Sequence, residues 1–291
     1  MGSPTGGDEH ENERSSEHDD SDKPSGKMDQ TKDDSSWTHV TKNSAVMTFA
    51  QGAGGGVFNA GKLTAQHTRL AHNNAIDQPN PILGTGGGGL QNTGGTAELK
   101  GVRIDHNHAA GAGGGVAGSE GEGGEPGTIR LEFSSVSDNS GLVGGGISSL
   151  GATVYLTHTA VRHNAAASDG GGILNALGPV SIDGSRIEGN TSGGFGGGVT
   201  NTDFGTVALR RTDVNENRAI GATSRAGGVS NIEGQVTLTD SHVIGNFSVN
   251  APGGVENGTG TVAVDDESTI IRNRPTNCAG VPGAAIPNCF G

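Results

Sequence analysis

The stretch GGILNALGPVSIDGSRIEGN, from Gly171 to Asn190, reads as three short extended pieces. Gly171-Gly172-Ile173-Leu174-Asn175 is the first and Pro179-Val180-Ser181-Ile182 the second. Arg186-Ile187-Glu188 is the third, closed by Asn190. The next segment repeats the pattern: Gly197-Gly198-Val199-Thr200-Asn201, Thr206-Val207-Ala208-Leu209, Asp213-Val214-Asn215. Within the second piece apolar and polar residues alternate, as in Val180/Ile182 and Val207/Leu209. That is the period of a strand with one buried face.

Moving outward, the phrase aliphatic-x-x-Asn recurs nine times. It places Asn43, Asn73, Asn107, Asn139, Asn164, Asn190, Asn217, Asn246 and Asn273. Between successive copies lies Gly-Gly-aliphatic, at Val57, Leu90, Val116, Ile147, Ile173, Val199, Val229 and Val255. These positions are 33, 26, 31, 26, 26, 30 and 26 residues apart. Two phrases kept in one phase mean one supersecondary unit wound many times. The pieces are too short, too β-branched and too glycine-punctuated for a helical repeat. The expected fold is therefore all-β, a parallel β-helix spanning 37–273 with three strands per coil and about eight to nine coils. Each strand would pair with its equivalent one coil away, at about 4.8 Å. An asparagine side chain both donates and accepts, so the asparagine column is expected to stack and pair the bend backbone. Extra residues fall between strands, at Ile76 to Gly86, Ser119 to Gly127 and Gly221 to Ala226. Loops of that kind are where function is expected.

Composition limits the alternatives. Glycine makes up 55 of 291 residues without a three-residue period, which excludes collagen. Aromatic residues are only 3%, so the core must be Val, Ile and Leu. The net charge is −13, of which residues 1–36 carry −7. Neither part has the basic stripe that nucleic-acid binding requires. No apolar run approaches the roughly 20 residues needed to span a bilayer. Residues 1–36 are acidic and almost devoid of apolar side chains, so they read as a disordered tail. A solenoid end exposes unpaired edges, and Trp37 and Phe49 are expected to help cover the first one. Both cysteines, Cys278 and Cys289, stand in the segment 274–291. They are expected to form a disulfide stapling a C-terminal cap, worth about 2–3 kcal/mol.

The Gly-Gly-aliphatic and aliphatic-x-x-Asn phrases resemble the repeats of right-handed parallel β-helix proteins of the pectin-lyase-like superfamily. They are especially similar to the glycine- and asparagine-rich bacterial surface repeats of the polymorphic outer-membrane-protein type. The ending, from Asn273-Arg274-Pro275 through Pro287-Asn288-Cys289, is similar to the tails of secreted actinobacterial β-helix proteins. The resemblance covers 37–291 and implies a secreted or cell-surface bacterial protein. Met1 is followed by polar and acidic residues, so no signal peptide is visible.

In enzymes of that superfamily the substrate groove runs along the first strand of each coil. The position between its aliphatic residue and its asparagine is expected to face outward. Reading upward, this column is Phe58, Gln91, Ala117, Ser148, Leu174, Thr200, Ser230 and Glu256. It offers one carboxylate and no base, whereas glycoside hydrolysis uses two carboxylates. The nearest acidic group is Asp203, Glu233 and Glu256, which could surround a sugar or a cation. Their bland reading is solvated turn carboxylates. A second column, just before each ladder asparagine, contains His72, His106, Asp138 and His163 on four consecutive coils. Imidazole and carboxylate could bind a transition metal there; the bland reading is a polar bend. The glycine-rich stretches precede no Lys-Ser/Thr and so are not phosphate loops, and no cofactor is expected. The sequence thus points to a non-catalytic structural, adhesion or glycan-binding protein, with a glycan, cell-wall polymer or surface protein as partner. The rival is a polysaccharide lyase or hydrolase.

Overall fold

The computed structural model describes residues 38–47, 54–77, 86–280 and 285–290. They form a parallel β-solenoid of about eight turns. The acidic segment 1–36, Trp37 and Phe49 lie outside the described residues.

Four parallel sheets run along the solenoid. In chain order within a coil, the first sheet holds nine strands, from Val57–Asn59 to Val255–Asn257 and finally Cys278–Gly280. The second holds eight, from Lys62–Gln66 to Thr261–Val264. The third holds nine, from Thr38–Thr41 to Thr269–Ile271. These three sheets are the pieces read from the sequence, in the expected register: Ile173 pairs with Val199, Val180 with Val207 and Ile187 with Val214. The fourth sheet corrects the expectation of three strands per coil. Its eight strands run from Ser44–Met47 to Phe247–Ser248, and most are two residues long. A two-residue strand has one inward position, so no alternation can reveal it. That position carries a small buried residue on successive coils: Ala75, Ala109, Gly141, Ala166, Ser192, Ala219 and Ser248.

The core is a stack of aliphatic layers. Val136, Val161, Ile187, Val214 and Val243 from the third sheet are completely buried, as are Ile147, Ile173, Val199 and Val229 from the first. Leu131, Ile182, Leu209 and Leu238 close the layer from the second sheet. Val57, Leu63 and Ala65 of the lowest coil are only partly buried. At the opposite end, Cys278–Gly280 pairs onto Val255–Asn257, and Ile286 packs into the core. Cys278 and Cys289 form a disulfide with a Cα–Cα distance of 6.3 Å. Asn288 donates from Nδ2 to the Val264 carbonyl at 2.9 Å, so this segment also covers the top of the second sheet.

Each bend combines a left-handed residue with a polar one. Between third and fourth sheets the left-handed residues are Lys42, His72, His106, Asp138, His163, Gly189, Glu216, Gly245 and Arg272, with φ from 51° to 69°. The ladder asparagine follows each of them. Asn164 donates from its backbone N–H and from Nδ2 to Oδ1 of Asn190, and Nδ2 also reaches the Val136 carbonyl at 3.0 Å. The same three bonds recur from coil to coil, and Asn277 receives the last pair from Asn273. The asparagine N–H and the aliphatic carbonyl of the bend thereby gain partners in a place water does not reach.

The bend between second and third sheets repeats the device with hydroxyls. The left-handed residues are His67, Gly101, Phe133, His158, Gly184, Arg211 and Asp240. A serine or threonine follows most of them. Thr159 N–H donates to Ser185 Oγ at 3.0 Å, and Ser185 Oγ donates to the Asp183 carbonyl at 2.8 Å. A second asparagine ladder, broken at Gly118 and Ser149, lines the exit of the first sheet. There Asn175, Asn201, Asn231 and Asn257 bond in sequence.

Candidate functional site

The first sheet offers no open groove floor. Gln91, Ala117, Ser148, Thr200 and Ser230, expected to face solvent, are buried. The glycine-rich segment that leads into each first strand folds back over its outer face. Thus Gly87 N–H donates to Gln91 Oε1 at 3.0 Å, and Thr200 Oγ1 donates to the Phe195 carbonyl at 2.9 Å. Sequence alternation assigned the right face but could not show that a loop lies on it.

The three candidate acids occupy two different parts of the coil. Glu256 is aligned with Ser230 within the first sheet. Its carboxylate accepts from Ser230 Oγ at 3.1 Å and pairs with Arg225 at 3.4 Å. Asp203 and Glu233 sit three residues further along, in the turn toward the second sheet. Asp203 is itself a left-handed turn residue with φ 50°.

The bend column splits in two. His163 leans on the next coil, where a Cβ on Gly189 would lie 2.7 Å from the ring. His67 and His158 face Gly101 and Gly184 in the same way on the other bend. His72 and His106 are different, because histidine follows histidine. Their ring centroids are 5.0 Å apart, with planes tilted by 33°. Asp105, not Asp138 or His163, joins them, and ligand atoms of His72, Asp105 and His106 lie within 4.8 Å of one another. Asp105 is buried and held by Arg69, which donates from Nε to Oδ1 at 2.9 Å and from Nη2 to Oδ2 at 2.6 Å. His106 Nδ1 lies 3.0 Å from Asp105 Oδ2. Burial pushes the Asp105 carboxyl up. The Arg69 and His106 hydrogen bonds, with the charges behind them, outweigh it and hold the group below the usual carboxylate range.

The outer face of the second sheet is open to solvent. Its lower half is charged, with Lys62–Glu98 at 3.7 Å and Lys100–Glu132 at 3.8 Å bridging adjacent coils. Arg130 stacks over the Tyr155 ring at 4.1 Å. Beyond Tyr155 the first two outward positions of each strand are neutral, at Pro179, Ser181, Thr206, Ala208, Gln235 and Thr237, while Asp183 and Arg210 stand at the third. This step in side-chain height leaves a shallow depression of about 170 Å³, bounded by Tyr155 and floored by Ser181 and Ala208. Hydroxyls of Thr153, Tyr155, Ser181, Thr206 and Thr237 and the Gln235 amide surround it. The signal was present in the sequence, since these residues occupy two outward columns register by register. It is visible only once coils are aligned and compared.

Fold and surface together define a parallel β-solenoid with an open, hydroxyl-rich patch on its second sheet. Compared with protein-family models, curated proteins and solved structures, the chain matches none. Among the described residues no helix is long and apolar enough to cross a membrane.

Proposed function

We propose that this protein is a secreted or cell-surface β-helix with a non-catalytic binding role, and that the outer face of its second sheet docks a glycan or cell-wall polymer. The observation that carries the reading is the depression beyond Tyr155. An aromatic edge there meets a flat strip of hydroxyl and amide groups in a concave patch. Sugars are bound by that combination, since hydroxyl pairs fix orientation and an aromatic body supplies apolar contact. A parallel sheet repeats its outward groups every 4.8 Å or so, which suits a polymeric ligand. The kinship with pectin-lyase-like proteins and with secreted actinobacterial surface repeats belongs to the same proposal. The disulfide between Cys278 and Cys289 supports an oxidising, extracellular setting.

A glycan array with the full chain tests this, followed by affinity electrophoresis in the best polysaccharide. Ser181→Trp and Ala208→Trp fill the depression and should abolish retardation while leaving the fold intact by circular dichroism. Binding indifferent to both substitutions would place the ligand elsewhere. Release of unsaturated or reducing ends from pectin, alginate or chondroitin, lost in Asp203→Asn, would establish the lyase or hydrolase reading instead.

A further inference from the structure

Among the described residues, His72 and His106 are the one case in the two bend columns where histidine stands on successive coils. Each is the left-handed residue of its coil, with φ of 56° and 55°. The two side chains therefore leave equivalent points of adjacent coils in the same direction. Both are exposed, while the asparagines that follow them are buried in the ladder. The anchoring is rigid on the backbone side and open on the solvent side.

Asp105 gives this pair a function beyond stacking. Its carboxylate is buried and fixed by two bonds from Arg69, so it cannot swing away. A carboxylate against Nδ1 of His106 selects the tautomer with the proton on Nδ1. That leaves the lone pair on Nε2 of His106 as the acceptor for a cation. Because Arg69 already neutralises Asp105, the carboxylate acts as an outer support and the imidazoles as ligands.

We infer that His72 and His106 bind a divalent transition-metal ion of the imidazole-seeking class, such as Zn²⁺ or Cu²⁺, with Asp105 as the positioning residue for His106. Imidazole nitrogen suits these ions, with metal–nitrogen distances of about 2.0–2.1 Å. Two such bonds need donor nitrogens no more than about 4.2 Å apart. Ligand-capable atoms of His72, Asp105 and His106 lie within 4.8 Å of one another, and rotation of the exposed His72 side chain brings its nitrogen toward Nε2 of His106. Two protein ligands leave coordination positions open to water or to a ligand on another molecule, so the site is accessible rather than closed. It stands on the third-to-fourth sheet bend, and it is independent of the glycan reading of the second sheet.

The test is isothermal titration of the full chain with Zn²⁺, and Cu²⁺ line broadening of histidine ring signals by NMR. One equivalent should bind, and His72→Ala or His106→Ala should each weaken binding at least tenfold. His72→Gln and His106→Gln keep the side-chain bulk, should one alanine variant fail to fold. Asp105→Asn should weaken affinity by about 10–100-fold, the usual loss for an outer-shell partner, and shift the His106 tautomer away from Nδ1–H. The double variant His10→Ala/His18→Ala removes the tail histidines and should leave the binding unchanged. Cu²⁺ should broaden His72 and His106 before His158 or His163. Absence of stoichiometric binding, binding lost only in the tail variant, or broadening that begins elsewhere would overturn the inference.

Discussion

Asn139 donates twice to a single atom: its backbone N–H and its Nδ2 both reach Oδ1 of Asn164, each at 3.0 Å. Asn164 in turn satisfies the Val136 carbonyl. Replacing it with alanine orphans a buried N–H and a buried carbonyl at once. Each unsatisfied group costs about 1–3 kcal/mol. Asn164→Ala should therefore lose roughly 3 kcal/mol in a urea titration. Asn164→Asp keeps the acceptor but faces Asn190 Oδ1 and the Val136 carbonyl without a donor. It should be destabilised more at neutral pH than in acid. Equal stability of wild type and Asn164→Ala would remove the ladder from the folding argument.

The Gly-Gly pair is required for space, not for φ. A Cβ on Gly172 would sit 2.6 Å from the Gly198 carbonyl of the next coil. Gly172→Ala should thus cost about 2 kcal/mol or more, because backbone rather than a flexible side chain must move. Gly61 has nothing within 4 Å of its Cβ position and no positive φ. Gly61→Ala should be neutral or gain about 0.5 kcal/mol through the unfolded chain. Paired thermal melts decide this; a destabilised Gly61→Ala with an unaffected Gly172→Ala would contradict it.

Asp105 makes stability depend on pH in one direction. Its folded pKa lies below the usual value of about 4. The stabilisation is therefore fully present above the unfolded value and is lost as pH falls through the lowered folded value. Melting temperature should drop more steeply for wild type than for Asp105→Asn as the pH is lowered below about 4. Parallel slopes for the two proteins would show that the Arg69 pairing contributes nothing to folding.

The Cys278–Cys289 disulfide should matter to one end of the molecule only. Its ring closes eleven residues apart in sequence and carries the strand that finishes the first sheet. Reduction, or Cys289→Ser, should cost about 2–3 kcal/mol. Hydrogen exchange should accelerate at Val255–Asn257 while Ile147–Leu150 keeps its protection. Uniform acceleration along the whole solenoid would mean that the cap is not a separable layer.

The sequence displayed what repeats with a side-chain signature. Ile187 and Asn190 are legible because an aliphatic and an amide recur at fixed spacing, and Val180/Ile182 because period two survives in a five-residue strand. The fourth strand, such as Ala165–Ala166, is too short for a period. The hydroxyl ladder at Thr159 and Ser185 was hidden because serine and threonine are common on any outward face. Asp105 escaped notice for another reason. Its partner Arg69 is 36 residues away, on the diagonal between adjacent coils, and only the register brings them together. The burial of the outer column at Gln91 and Thr200 could not be read, since the recurring glycines that lead into each first strand carry no side chain to show which face they cover.

Because every coil offers the next the same acceptor and the same donors at the asparagine ladder, coils are interchangeable parts. Most are spaced by 26 residues or a few more. A duplication or deletion of one whole period leaves every surviving strand in register, whereas loss of a single residue within a strand turns its apolar face outward. Length is therefore inherited in steps of a coil. Lineages of such a chain can extend or shorten the docking face without redesigning the core.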